Sequence, residues 1–437
     1  MWTEPSAQFV ETRPEAGSRA GRTRLTLILA ALWLAAFFIY WGMATRGTFS
    51  TRQTYAPQFV YLADALLHGQ VHLRVTPPEV RELAPFKGEL FLYQPPMPAV
   101  LMLPYVAVFG LAASDRIFGA GLGALNVVLV VLVARAVLRR AGRWTWGTVA
   151  VVALFWALGS DQTSSVVLAN VYVLPHVATA TFLLAALLVV IERPPGTSAG
   201  LLVGAALAGA LLTRVHTVLA APVLLWGWLY APAGGSRRGR RVGALAGAAL
   251  TLGLGVAAML FYNRLRFDQY LVNPIDYQYL GTATDEVASQ TTQPASAHGR
   301  LSLGVVPRNL YYYFANVRLR LWRGWPVFDP MGQALWFTSP LLLLLLRRGT
   351  WWRCTAARWG VLAALPVLAF VLLWPFTGAS QIGLRYVGDF LALLMPALTL
   401  AVASTPRKLV AVLLALCIVV RLYATALAPL TLNLHIT

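Results

Sequence analysis

"YQPPMPAVLMLPYVAVFG", residues 93–110, decides how the chain runs, because it begins like a membrane span yet lacks the length of one. Its apolar part covers only 15 residues between Pro98 and Ser114, against the roughly 20 that carry a helix across a bilayer. Pro104, in the middle, removes a helix hydrogen bond. The stretch therefore reads as an interfacial or re-entrant helix that stays on one face, and charge decides which face.

The chain has 437 residues, 58% hydrophobic and 12% charged, with apolar runs recurring from Leu25 to the end. That composition excludes an ordinary soluble domain and implies an all-α polytopic membrane protein. The net charge of +19 does not point to nucleic acid, because the basic residues form short clusters between apolar runs. Cys354 and Cys417 offer neither a disulfide framework nor metal-ligand spacing.

The strongest arginine clusters lie at 134–143, 234–241, 347–358 and 405–408, and the positive-inside rule puts all four in the cytoplasm with the N-terminal tail, residues 1–24. The basic tail ahead of the first apolar run reads as an uncleaved signal anchor. If the first span runs outward over about 25–45, only one of the next two apolar stretches crosses. "RIFGAGLGALNVVLVVLVARAVL" is long enough, so 93–110 is the one that does not. Further spans are then predicted at about 117–138, 144–160, 172–191, 199–213, 216–230, 242–262, 333–347, 359–376, 386–403 and 408–429. This gives about eleven transmembrane helices in one domain, 25–437. Outer loops cover 46–95, with interfacial helices, and 263–330. In the second loop, 282–300 reads as a mobile segment, and "LSLGVVPRNLYYYFANVRLRLW" (301–322) reads as an amphipathic surface helix.

Of 16 acidic residues, eleven fall on the outer side in this threading. Arg385 and Asp389 in "GLRYVGDF" are four apart, so on a helix they share a face and can pair. Arg214 and His216 in "LLTRVHTVL" fall at an outer turn. "GAGLGALN" is a glycine-spaced face suited to close helix packing. No His-Glu-x-x-His, GxSxG or P-loop pattern is present, which argues against a zinc protease, a serine hydrolase or an NTPase.

Four stretches, "TYAPQFVYLADALLHGQVHL", "FKGELFLYQPPMPAVLMLPYVAVFG", "FYNRLRFDQYLVNP" and "TSPLLLLLL" with "GLRYVGDFLALLMPALTLA", together resemble the polytopic GT-C glycosyltransferases. That group includes protein O-mannosyltransferases and lipid A aminoarabinose transferases. The resemblance implies a GT-C-like enzyme of the bacterial plasma membrane, moving a sugar from a polyprenyl-phosphate donor to an envelope glycan, lipid or protein on the outer face. It also implies an acidic base just beyond the first span, where this chain has Gln53 and Thr54, neither of which can be a general base. The basic residue commonly found before the Pro-Pro pair is Gln94 here.

Another carboxylate then has to act, with Glu82 in "VRELAPFKGELF" the first candidate and Asp64 the second. Arg52, Lys87, Arg214 and Arg385 are the candidate phosphate-binding cations, with His216 and Tyr386 beside them in the substrate site. No motif calls for a cofactor, and a divalent metal is left open. The missing acid keeps an alternative in view, a non-catalytic envelope protein or a transporter of a lipid-linked substrate.

Overall fold

A computed structural model of the chain describes residues 19–230, 238–279 and 301–433, apart from 323, 330, 376, 377, 379, 380 and 382. The segment 282–300 and most of the N-terminal tail lie outside the described residues. Along the chain, α1 (Arg19–Ala44) is followed by α2 (Gln58–Leu67), a hairpin of β1 (Leu83–Phe86) and β2 (Glu89–Leu92), and α3 (Met97–Phe109). Then come α4 (Asp115–Arg140), α5 (Trp146–Leu158), α6 (Asp161–Leu168), α7 (Leu174–Glu192), α8 (Thr197–Leu211), α9 (Ala220–Leu229) and α10 (Arg238–Phe267). A second hairpin, β3 (Leu319–Trp322) and β4 (Trp325–Phe328), precedes α11 (Thr355–Leu373), α12 (Leu391–Ala403) and α13 (Arg407–Asn433).

Among the described residues six helices, α1, α4, α7, α10, α11 and α13, are long and apolar enough to cross a bilayer, and α5 with α6 makes a seventh candidate bent by 46°. Helices α8, α9 and α12 are apolar but only 15, 10 and 13 residues long. The expected span at 333–347 is not one helix: Leu335–Thr338 is a single turn and Pro340–Leu346 a 3-10 segment. Pro340 supplies no N–H and disfavours helical backbone at Ser339, so the run breaks there. Outward faces carry large apolar side chains in helical register, such as Leu250, Leu254 and Phe261 on α10 and Val412, Leu416 and Val419 on α13. Such surfaces are stable against hydrocarbon and not against water, so the chain is a multi-pass membrane protein.

Helix α3 has 13 residues, about 20 Å at 1.5 Å per residue, well short of the roughly 30 Å hydrocarbon core. Both of its ends lie at the same end of the bundle. At its start, Met97 N–H donates to Leu212 O at the end of α8. Just past its finish, Leu111 O and Ala113 O accept from Gln53 Nε2, which follows α1. The end of α1 in turn meets the start of α4, where Arg116 Nη1 donates to Ala44 O. The proline-broken stretch therefore enters and leaves on one side.

The arginine clusters gather at the other end. Arg143 Nη1 donates to Ser404 Oγ at 2.6 Å, and Arg347 Nη1 to Thr405 Oγ1 at 2.7 Å, so three of the basic turns touch. Close packing then sets the helices at these depths. A side chain at Gly123 would run into Val166 on α6, and one at Gly204 or Gly247 would close the α8–α10 contact. The glycine-spaced face of "GAGLGALN" thus packs as its spacing implies.

The region 301–322 is not an amphipathic helix. It breaks into a short helix, Val306–Leu310, a π-turn, Tyr311–Ala315, and strand β3. Alternation of Arg318 and Arg320 with Leu319 and Leu321 has the period of a strand, and β3 pairs with β4 in register Trp322↔Trp325.

Candidate active site

At the loop end, hairpin β1–β2 pairs Leu83 with Leu92 and turns through Lys87 and Gly88, both at positive φ (52° and 82°). The next pair outward from Leu83 and Leu92 is Glu82 and Tyr93, with Tyr93 N–H donating to Glu82 O. The hairpin thereby lays Glu82 against the residues that lead into the Pro95-Pro96 element. Gln94 Nε2 donates to Glu82 Oε2 at 2.8 Å, and Gln278 Nε2 to Oε1 at 3.2 Å. The Tyr93 hydroxyl also reaches this carboxylate. Glu82 is 4% exposed, and burial pushes its carboxyl above the usual range, opposed by the bonds from Gln94 and Tyr93 and by the charge of Arg385.

Behind it stands a buried acid with three nitrogenous partners. Asp389 Oδ1 lies 2.7 Å from His176 Nδ1, and Oδ2 lies 2.9 Å from His216 Nε2 and accepts from Arg214 Nη2 at 3.2 Å. His176 comes from the start of α7, Arg214 and His216 from the turn between α8 and α9, and Asp389 from the 3-10 turn Arg385–Asp389 ahead of α12. A buried carboxylate needs this compensation. Its result is that three distant elements hold one guanidinium in place. The His216 ring also stacks on Phe370 at 4.7 Å.

Rings and guanidinium groups alternate outward from that acid. Arg214 lies over the Tyr386 ring at 5.0 Å, and Arg385 over Tyr386 at 5.5 Å and Tyr172 at 5.8 Å. Tyr172 stacks with Tyr55 at 6.4 Å, and Tyr55 is half exposed. The Nε atoms of Arg214 and Arg385 are buried with no acceptor among the described residues. Two guanidinium groups thus offer N–H donors beside a carboxyl, behind an aromatic mouth. At the rim Arg81 forms a two-point bond with Glu79, at 3.0 and 2.6 Å. No group of metal-ligating side chains is arranged to hold an ion among the described residues, and the positive charge in the Asp389 cluster is Arg214.

Of the residues singled out from sequence, Glu82, Arg214, His216, Arg385 and Tyr386 come together. Asp64, Arg52 and Lys87 do not. Asp64 is on α2 and accepts from Arg74 Nη1 at 3.1 Å. Lys87 is at the exposed hairpin tip, paired with Asp268. Arg52 is exposed beside Ser50. The expected Arg385–Asp389 pair is also absent: the segment is 3-10, where residues three apart are aligned and residues four apart are not, so Asp389 turns to His176, Arg214 and His216.

Sequence reasoning missed His176, Tyr93, Tyr172 and Tyr55. The usable signal for His176 was an imidazole inside an apolar run. It also missed that Thr54, at the position where an acid was looked for, donates its N–H to Asp115 Oδ1 at 2.8 Å and its hydroxyl to Oδ2.

No family model and no curated protein sequence matches the chain. Among solved structures it is similar to the apo oligosaccharyltransferase of Archaeoglobus fulgidus, at 12% identity and TM-score 0.49, over 95% of this chain and 56% of that one. That enzyme in complex with an inhibitory peptide and a dolichol-phosphate gives 13% identity and TM-score 0.47, over 92% and 55%. ArnT from Cupriavidus metallidurans bound to undecaprenyl phosphate gives 15% identity and TM-score 0.40, over 87% and 60%. The chain spans little more than half the length of the proteins it matches.

Proposed function

We propose that the protein is a membrane glycosyltransferase that moves a sugar from a polyprenyl-phosphate donor to an envelope acceptor at the loop end of the bundle. The observation that carries this reading is a buried carboxyl, Glu82, that feels the charge of Arg385, with Arg214 on the Tyr386 ring that Arg385 also meets, the Nε groups of both arginines lacking acceptors among the described residues. In the proposed reaction an acceptor hydroxyl gives its proton to ionised Glu82 while its oxygen bonds the anomeric carbon of the donor sugar. The sugar–phosphate C–O bond breaks with its electron pair on the phosphate, which leaves as the lipid phosphomonoester with one more negative charge. Arg385 and Arg214 meet that charge.

Burial suits both roles. It raises the carboxyl above its usual range, which makes the ionised form a stronger base, and it strengthens the attraction of the guanidinium groups for the departing phosphate. Tyr55 and Tyr172 offer ring faces at the entrance for a sugar. Of the stretches that resemble GT-C enzymes, "FKGELFLYQPPMP" supplies Tyr93 and Gln94 to this site and "GLRYVGDF" supplies Arg385, Tyr386 and Asp389, while Glu82, His176, Arg214 and His216 lie outside both. A transporter reading would call for paired broken helices, and one bent pair, α5–α6, is found among the described residues.

The test is transfer from a labelled polyprenyl-phosphate sugar in membranes that contain wild-type protein or the Glu82→Gln variant. Loss of transfer by a variant that still unfolds cooperatively supports the reading. Full transfer by the variant overturns it.

A further inference from the structure

At the arginine end of the bundle, away from the candidate active site, a cavity of about 620 Å³ lies between the start of α1 and the end of α4. Arg24, Arg135 and Arg139 line it, with Leu25 and Ile28 below them and Trp144 and Trp146 at its side. A second cavity of about 330 Å³ shares Arg135 and Arg139 on the far side of α4 and includes Glu192. No side chain of the three arginines forms an ion pair or a hydrogen bond within the described residues. Arg135 and Arg139 are four apart on α4, an arrangement in which like charges repel.

Solvation of the basic face by water alone would favour arginines that diverge. Here three converge on one hollow whose floor is apolar, and two tryptophans in edge contact (4.9 Å) stand at the depth where amphipathic rings meet headgroups. Guanidinium forks match the oxygens of a phosphate. Leu25 and Ile28 lie about one and two turns into an apolar span that is mostly open to its surroundings. We propose that this cavity binds the headgroup of an anionic glycerophospholipid, with the phosphate on Arg24, Arg135 and Arg139 and an acyl chain along Leu25 and Ile28. The proposal does not depend on the glycosyltransferase reading.

The experiment uses delipidated full-length protein in detergent, titrated with short-chain phosphatidylglycerol, with phosphatidylcholine of the same chains, and with inorganic phosphate, the readout being saturable thermal stabilisation. Phosphatidylglycerol is expected to stabilise saturably, and the other two are not. Removing two charges with Arg135→Gln/Arg139→Gln is expected to weaken phosphatidylglycerol binding about 30-fold, at about one surface-arginine contribution each. Removing two charges at the same end of the bundle with Arg407→Gln/Lys408→Gln is expected to leave it unchanged. Arg24→Gln, at an exposed position near the start of α1, gives the same direction of effect should the double variant fail to fold. Equal stabilisation by phosphatidylcholine, stabilisation by inorganic phosphate alone, or equal loss in the 407/408 variant each overturns the proposal.

Discussion

Asp389 binds the guanidinium of Arg214, 175 residues away in sequence, and not that of Arg385, four residues before it. Arg385 is thereby left facing Glu82 and the two tyrosines, 386 and 172. One arginine is fixed by an acid and the other is paired with no carboxylate among the described residues, and in the proposed reaction the second is the one left to meet the departing phosphate.

Glu82 should govern the acid side of the pH profile. As a base it works only when ionised, so transfer should rise with pH through a value above the usual carboxylate range, because burial raises it. Arg385 opposes that rise, so Arg385→Gln is expected to move the acid limb to higher pH. Glu82→Gln is expected to lower kcat by about 100-fold or more and to abolish the limb. An acid limb that stays in place in Glu82→Gln would assign it to another group.

The same shift has a stability counterpart. A carboxyl raised in the folded state favours folding while it is protonated, and that contribution is lost as pH rises from its ordinary value through the raised one. Thermal unfolding of wild type should therefore fall across this window relative to Glu82→Gln. Parallel curves for the two proteins would show that burial does not act on this group.

Asp389→Asn should be among the most damaging single changes. It leaves the Arg214 charge uncompensated inside the bundle, where breaking one partner of a buried pair costs about 3–5 kcal/mol. Adding Arg214→Met to Asp389→Asn should recover part of the lost melting temperature, since the stranded charge is then removed. A double variant no more stable than the single one would exclude charge as the cause.

Gly383 has φ +78°, and a side chain there would run into the Asp161 carboxylate, which pairs with Arg421 at 2.8 Å. Gly383→Ala should cost about 1–2 kcal/mol for the left-handed backbone alone, and more for displacing that ion pair. Because the turn leads into Arg385, KM for the donor should rise as well. Unchanged unfolding and KM would show that the turn relaxes freely.

Tyr55 offers its ring more than its hydroxyl, whose hydrogen bond from Asn170 Nδ2 is long, 3.4 Å. Tyr55→Phe is therefore expected to match wild type, and Tyr55→Ala to raise KM about two- to tenfold, the worth of one aromatic contact. Lys87→Ala, at the hairpin tip and away from the site, should leave transfer unchanged. A large loss there would bring the tip back into the site.

What could be read from the sequence was what depends on local length, proline and charge. The shortness of α3 and its confinement to one face both follow from such cues. Arg214 and Arg385 stood out as charges near or within apolar runs, and Glu82 as a carboxylate to replace the acid that the GT-C resemblance implies. The partners of Asp389 could not be read, because the pairing rule for residues four apart presumes an α-helix and this turn is 3-10. His176 is 213 residues from Asp389, beyond any periodic pattern. Strand β3 was legible in its two-residue alternation, but the longer apolar context favoured a helix.

Helix α3 starts and finishes on the same side, so it contributes nothing to the parity of the chain's crossings. Excising residues 96–113 should leave the sense of every later helix as it was, and reporter fusions after α4 would read the same compartment. Removing a crossing helix such as α4 would instead invert everything downstream. The chain can lose or lengthen this half-depth element without renegotiating its orientation, which leaves the floor beneath the Glu82 hairpin freer to change than the bundle around it.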